Sequence, residues 1–158
     1  GFTGYYNPYT GEAQVNTTVP KFLKPSITLH EIAHQIGYAK ENEANFVGFL
    51  VGSNCKDPLF RYSTWLDLLM YTNRQLWLAD STAANMALKN LEEPVIHDIE
   101  EWKKFVNSHQ SFLEPAMHWI YGKYLVFNDQ PQGIRTYDAV VSIAIAYYKK
   151  NVAESFDE

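Results

Sequence analysis

His30-Glu31-Ile32-Ala33-His34 sets two imidazoles four residues apart, with a carboxylic acid directly after the first. On a helix, positions i and i+4 lie about 40° apart around the axis and one turn apart along it, so both rings can reach one cation. An acid flanking that face stands close enough to a metal-bound water to serve as its base. The chemistry on offer is metal-assisted hydrolysis. His30 and His34 would be ligands, Zn2+ the ion that suits them, and Glu31 the general base. A hydrolytic zinc site takes three protein ligands and keeps one position open. The nearest further acids are Glu41 and Glu43. With Glu41 at 0° on a second helix, Asn45, Gly48 and Gly52 fall within about 40° of it and Ala44 within about 60°. That is a face of small residues, flat enough to press against the first helix, with one carboxylate at its leading end. Glu43 falls about 200° away, so Glu41 is the expected third ligand. Asn45, one turn after Glu41, is placed to accept a hydrogen bond from the ring N–H of a ligating histidine.

These residues carry a resemblance. His30-Glu31-x-x-His34 followed by Glu41-x-x-Ala44-Asn45 resembles the HExxH…ExxA[DN] arrangement of the gluzincin metallopeptidases. The same pairing occurs in the membrane CAAX-prenyl-protease type and in regulatory proteases with a Glu-x-x-Ala-Asn second motif. The run at residues 4–16, with Asn42-Glu43-Ala44-Asn45-Phe46, is similar to something narrower: a bacterial family of uncharacterised HExxH proteins whose members carry membrane spans before this domain. That likeness covers most of the chain, and its specific motifs lie within residues 30–45. It implies zinc ligation by His30, His34 and Glu41, catalysis by Glu31, and a membrane-anchored parent from which this zincin-like domain is a piece. Two departures stand out. The connection from His34 to Glu41 is short for a gluzincin, and Asn45 stands where the prenyl-protease type has Asp.

The expected activity is peptide-bond hydrolysis by a zinc-activated water, with Glu31 taking a proton and passing it to the leaving amine. The strand at residues 12–16 is a candidate shelf for an extended peptide. A second oxyanion donor besides the metal is wanted, and the loop at residues 133–137 offers Arg135 and Tyr137. Two rivals differ in class. One is a non-catalytic zincin-like binding or regulatory module that keeps the fold and the metal; the other is a helical interaction domain without metal. The intact Glu31 speaks against the first, because a domain that only held zinc would not need that base.

The elements that must position these groups are mostly helices. Residues 2–6 and 12–18 read as a small hairpin, with Ala13 and Val15 alternating against polar neighbours. A first helix follows, capped by Ser26 and stopped at Gly37. Further helices are expected at residues 41–51, from Asp57-Pro58 towards Trp77, and at residues 82–90, 94–109, 115–127 and 136–152. The four tryptophans, Trp65, Trp77, Trp102 and Trp119, are expected in the core. The fold class is therefore mainly α with a small N-terminal β element, in one domain of 158 residues. A net charge of −5 argues against nucleic acid as the main partner. One cysteine excludes an intrachain disulfide framework, and no apolar stretch is long enough to span a bilayer, so the piece reads as a soluble domain.

Overall fold

A computed structural model of the chain describes residues 3–109 and 139–154, with side chains through residue 150. Strands β1 (Gly4–Asn7) and β2 (Glu12–Val15) pair antiparallel, with Gly4 opposite Val15 and Asn7 opposite Glu12. The turn between them closes through Gly11, which sits at φ +71°, a conformation that favours glycine. The second strand ends earlier than its composition suggests. Asn16 Oδ1 accepts the backbone N–H of Thr18 at 2.9 Å, and this side-chain turn bends the chain out of the ladder.

Helix α1 (Lys24–Gln35) follows a 3-10 turn at Lys21–Leu23. Ser26 is not its cap. The turn feeds straight into the helix, and Pro25, which has no N–H to leave unsatisfied, fits the first turn. Ser26 therefore lies inside α1, where its hydroxyl donates to the Leu23 carbonyl at 2.9 Å. Beyond it run α2 (Glu41–Ser53), α3 (Pro58–Ala79), α4 (Ser81–Lys89), α5 (Glu93–His109) and α6 (Ala139–Glu154). Asp57 and Asp80 cap α3 and α4, the Asp57 carboxylate accepting the N–H of Leu59 and that of Asp80 the N–H groups of Thr82 and Ala83. The expected helix at residues 115–127, with Trp119, and the loop carrying Arg135 and Tyr137 lie outside the described residues.

The described chain is thus mainly helical, fronted by one two-stranded antiparallel hairpin. Its core gathers Val19, Leu23, Leu66 and Ile99, with Leu69, Leu88, Val95 and Trp102 packed around them. Phe49 of α2 and Val140, Val141 and Ala144 of α6 are buried as well, and Phe49 meets Tyr148 of α6 ring to ring. Trp65 and Trp77 depart from expectation: both are about half exposed, although the Trp65 ring meets those of Phe49 and Tyr148. Among the described residues, no helix is long and apolar enough to cross a membrane.

Candidate metal centre

Three features of local folding bring the chemistry together. The first is the end of α1. Gly37, at φ +112°, lets the chain reverse: its N–H bonds the His34 carbonyl, and the Tyr38 N–H reaches back to Ala33. This paired closure leaves the Tyr38 carbonyl beside the last turn of the helix. There it accepts from His34 Nδ1 at 2.8 Å, which fixes the ring and leaves Nε2 without a proton of its own in the neutral tautomer.

The second feature is the approach of α2 to α1. A Cβ built on Gly48 would lie 3.4 Å from the His30 backbone nitrogen, so the two helices meet almost backbone to backbone there. Ala44, Gly48 and Gly52 are buried on that face, as the helical angles require. Glu41 occupies the first helical position at its leading end and points back at α1. Its Oε2 is 3.3 Å from His30 Nε2 and 3.6 Å from His34 Nε2, while the two imidazole nitrogens are 3.1 Å apart. The rings stand nearly perpendicular, at 86°. Glu43 points away, half exposed, and pairs with Lys40 at 3.5 Å.

The third feature is the hairpin, which lies along α1 and is tied at both ends. Gln35 donates to the Gly11 carbonyl and Lys24 to the Thr17 carbonyl, each at 2.7 Å. Between these ties, Gly4 of β1 abuts Glu31 so closely that a Cβ there would overlap the carboxyl. Glu31 is buried as a result.

The electrostatics follow from this crowding. Burial pushes the Glu31 carboxyl above its ordinary range; the two imidazoles oppose the shift and Glu41 adds to it. For Glu41, burial also disfavours the charge, but hydrogen bonds and charge from His30 and His34 outweigh it and hold the acid well below the usual range. Burial works against protonation of His34, yet Glu41, the Tyr38 carbonyl and Glu31 together raise it.

His30, His34 and Glu41 form a set of ligand atoms that could hold a metal ion. Tetrahedral bonds of about 2.0–2.1 Å put ligand atoms about 3.3 Å apart. The observed separations of 3.1, 3.3 and 3.6 Å match the edges of one face of such a tetrahedron. A second group, His97, Asp98 and Glu101 on α5, also has clustered ligand atoms, although His97 shows no metal spacing in sequence. It is largely exposed, and its Asp98 is engaged by the Tyr62 hydroxyl at 2.5 Å.

Asn45 makes no hydrogen bond to either imidazole among the described residues; its Nδ2 is buried without a partner, and the Tyr38 carbonyl serves His34 instead. Tyr137 lies outside the described residues. Two groups beside the site went unnoticed in the sequence. The Tyr38 carbonyl follows from the glycine stop already read at Gly37. Asp67 of α3 was signalled only by being an acid within the apolar run Trp65-Leu66-Asp67-Leu68-Leu69. Burial pushes its carboxyl up to about 6, against the pull of His30.

A protein family described as "Protein of unknown function (DUF3810)" matches residues 1–145. The chain belongs to that family. The DUF3810 match takes in the hairpin, the clustered His30, His34 and Glu41, and the first half of α6. No curated protein and no solved structure matches the chain.

Proposed function

We propose that this chain is a zinc-dependent peptidase domain of gluzincin type, with His30, His34 and Glu41 as ligands and Glu31 as general base. One observation carries the reading: two imidazole nitrogens and one carboxylate oxygen sit at the mutual distances of a tetrahedral face, with a buried acid on the residue next to the first imidazole. Two imidazoles and a carboxylate suit zinc. When bound, the metal supplies a Lewis acid that polarises a carbonyl and acidifies a water in its open position.

The protein groups do the rest. Glu41, kept ionised beside the rings, brings negative charge that offsets part of the ion's charge. The Tyr38 carbonyl keeps His34 Nε2 turned inwards. Glu31 has its affinity for a proton raised by burial, which fits an acid that takes a proton from the attacking water and returns it to the leaving amine. The substrate is a peptide or protein segment, laid along the hairpin, whose outer edges carry no further strand among the described residues. Tyr137 is the proposed second donor to the oxyanion. The resemblance to proteins with membrane spans before this domain supports a parent anchored at a membrane, with this domain beside it.

Purified, zinc-loaded chain is expected to cleave members of a peptide library, and Glu31→Gln to lose cleavage by at least about a hundredfold with zinc binding retained. Cleavage by neither protein would leave a zinc-holding module and overturn the peptidase reading. Less than stoichiometric zinc after loading would overturn the metal centre as well.

A further inference from the structure

We infer that the N-terminal hairpin is a flap over Glu31: hung from the core at Val19 and latched to α1 by Gln35, it lifts to uncover that carboxyl and closes to seat it. The gating role rests on the reading of Glu31 as the base of a metal centre; the movement itself does not. The cover is direct. All three atoms nearest a Cβ on Gly4 belong to the Glu31 side chain, so the β1 backbone roofs the acid, which is buried. A base has to be reached by a peptide and cleared of its products, and mobile covers commonly serve both steps.

The hairpin is attached as a movable part. None of residues 3–16 is fully buried; the first buried side chain after them is Val19, which belongs to the core with Leu23. The exposed Thr17 and Thr18 lie between. Asn16 Oδ1 accepts from the N–H and the hydroxyl of Thr18, at 2.9 and 2.7 Å, which gives this hinge a defined shape. Gly4 faces α1, so strand alternation puts Tyr6, Ala13 and Val15 on the same side, and all four are only partly buried. A segment with so little buried apolar surface opens locally at small cost.

Two hydrogen bonds from α1 oppose the opening, one at each end. Lys24 Nζ donates to the Thr17 carbonyl and braces the hinge, while Gln35 Nε2 donates to the Gly11 carbonyl and holds the far end. Both bonds are exposed, so water competes for them, and loss of one shifts the balance of open and closed by about fivefold. The hairpin meanwhile holds itself together. The Asn16 N–H extends the ladder to the Thr3 carbonyl at 2.9 Å, and the Gly11 N–H closes the turn on the Asn7 carbonyl at 2.8 Å. Gln35 directly follows His34, so the latch and the proposed metal centre share one turn of α1.

The test compares wild type, Gln35→Ala, and Thr10→Cys with Gln35→Cys in a Cys55→Ser background, the last before and after a dithiol-specific reagent bridges its two cysteines. Carbodiimide-driven amidation of Glu31 is read by peptide mass spectrometry in the metal-free protein, with hydrogen exchange of the hairpin amides beside it. A released two-stranded hairpin is marginal, so its ladder amides exchange once it lifts. Gln35→Ala is expected to raise both rates by about fivefold and to leave the core amides of α3 unchanged. The bridge should lower both rates below wild type and stop peptide cleavage, with zinc affinity unchanged. Rates that respond to neither the lost latch nor the bridge make the hairpin a fixed wall and overturn the inference. Cleavage by the bridged protein at the unbridged rate overturns it as well. Absence of cleavage in every protein, with amidation that follows the latch and the bridge, supports the flap and overturns the peptidase reading instead. Should the double-cysteine protein fail to fold, amidation and exchange in Gln35→Ala decide alone.

Discussion

Gly4→Ala isolates the placement of the proposed base from the metal ligands. A Cβ on Gly4 lies 2.7 Å from Glu31 Cγ and 2.8 Å from Cδ, and it overlaps Oε1. Non-bonded carbons settle at about 3.5–4.0 Å, so the acid must retreat by about 1 Å. It yields more readily than the paired backbone of β1, because a glutamate can turn about its side-chain bonds. An off-rotamer side chain costs about 0.5–1.5 kcal/mol, so the domain should lose on the order of 1 kcal/mol of stability and remain folded. The effect on rate is larger. A displacement of about 1 Å in a catalytic site costs on the order of a hundredfold, about 2.7 kcal/mol of barrier. Zinc affinity should stay within about twofold, since the atoms nearest a Cβ on Gly4 all belong to Glu31. Gly11→Ala is the control: it strains a positive-φ turn of the same hairpin with nothing within 4 Å of the new methyl group. It should lower stability and spare turnover. Cleavage rate, zinc affinity by chelator competition and thermal midpoint would be measured on all three proteins. Wild-type turnover in Gly4→Ala, or equal losses in both glycine variants, would refute the claim that β1 positions the base.

Three further outcomes follow from the same geometry. Glu41→Ala should weaken zinc binding by more than about a hundredfold, whereas Glu43→Ala, which removes only a surface pair with Lys40, should leave it unchanged; the reverse order would dismiss the helix-face argument. Gly37→Ala places a side chain at φ +112° and should cost about 1–3 kcal/mol in a denaturant titration. It should also reduce zinc affinity, because the Tyr38 carbonyl then loses its place at His34; a loss of stability without loss of affinity counts against that carbonyl. The third outcome concerns pH. His34 is raised, so its stabilising contribution is complete below the ordinary imidazole value of about 6.5 and disappears as pH climbs through the raised one. Glu31 and Asp67 are raised too, and act in the same direction as they ionise. Glu41 is lowered, so its contribution is present above the ordinary carboxylate value and lost only in strong acid. Metal-free protein should therefore become less stable from about pH 6 to pH 8 while its affinity for zinc increases, since the ion displaces a proton from His34. Rising stability of the metal-free protein across that interval would contradict the assignment.

What could be read from the sequence is what a single helix or its punctuation determines. The i, i+4 spacing of His30 and His34 needs only helical geometry, and the choice of Glu41 over Glu43 follows from the angle each takes on α2. The small-residue face of Ala44, Gly48 and Gly52 likewise announced a close helix contact, and α2 meets α1 at Gly48 as that face requires. The Gly37 stop and the Asp57-Pro58 start both fall at helix ends in the structure. Ser26 misled because the same residue type that caps a helix also bonds within its first turn; which role it takes depends on the 3-10 turn ahead of it. The exposed tryptophans and the part-burial of Asp67 share a deeper cause. Trp65 and Asp67 are two residues apart on α3, hence about 200° apart around it, and one faces outwards while the other approaches His30. Periodicity separates those two faces but cannot say which of them another helix covers, because that is decided by the crossing of α3 over α1 near Ser26 and Ser63. An acid on α3 therefore looks like a solvent-facing residue until the crossing is known, and the same crossing brings it near enough to His30 to feel that side chain's charge. The proposed ligands are legible in the motif; the packing of α3 behind them, fixed where Ser26 meets Ser63 across a separation of 37 residues, is not.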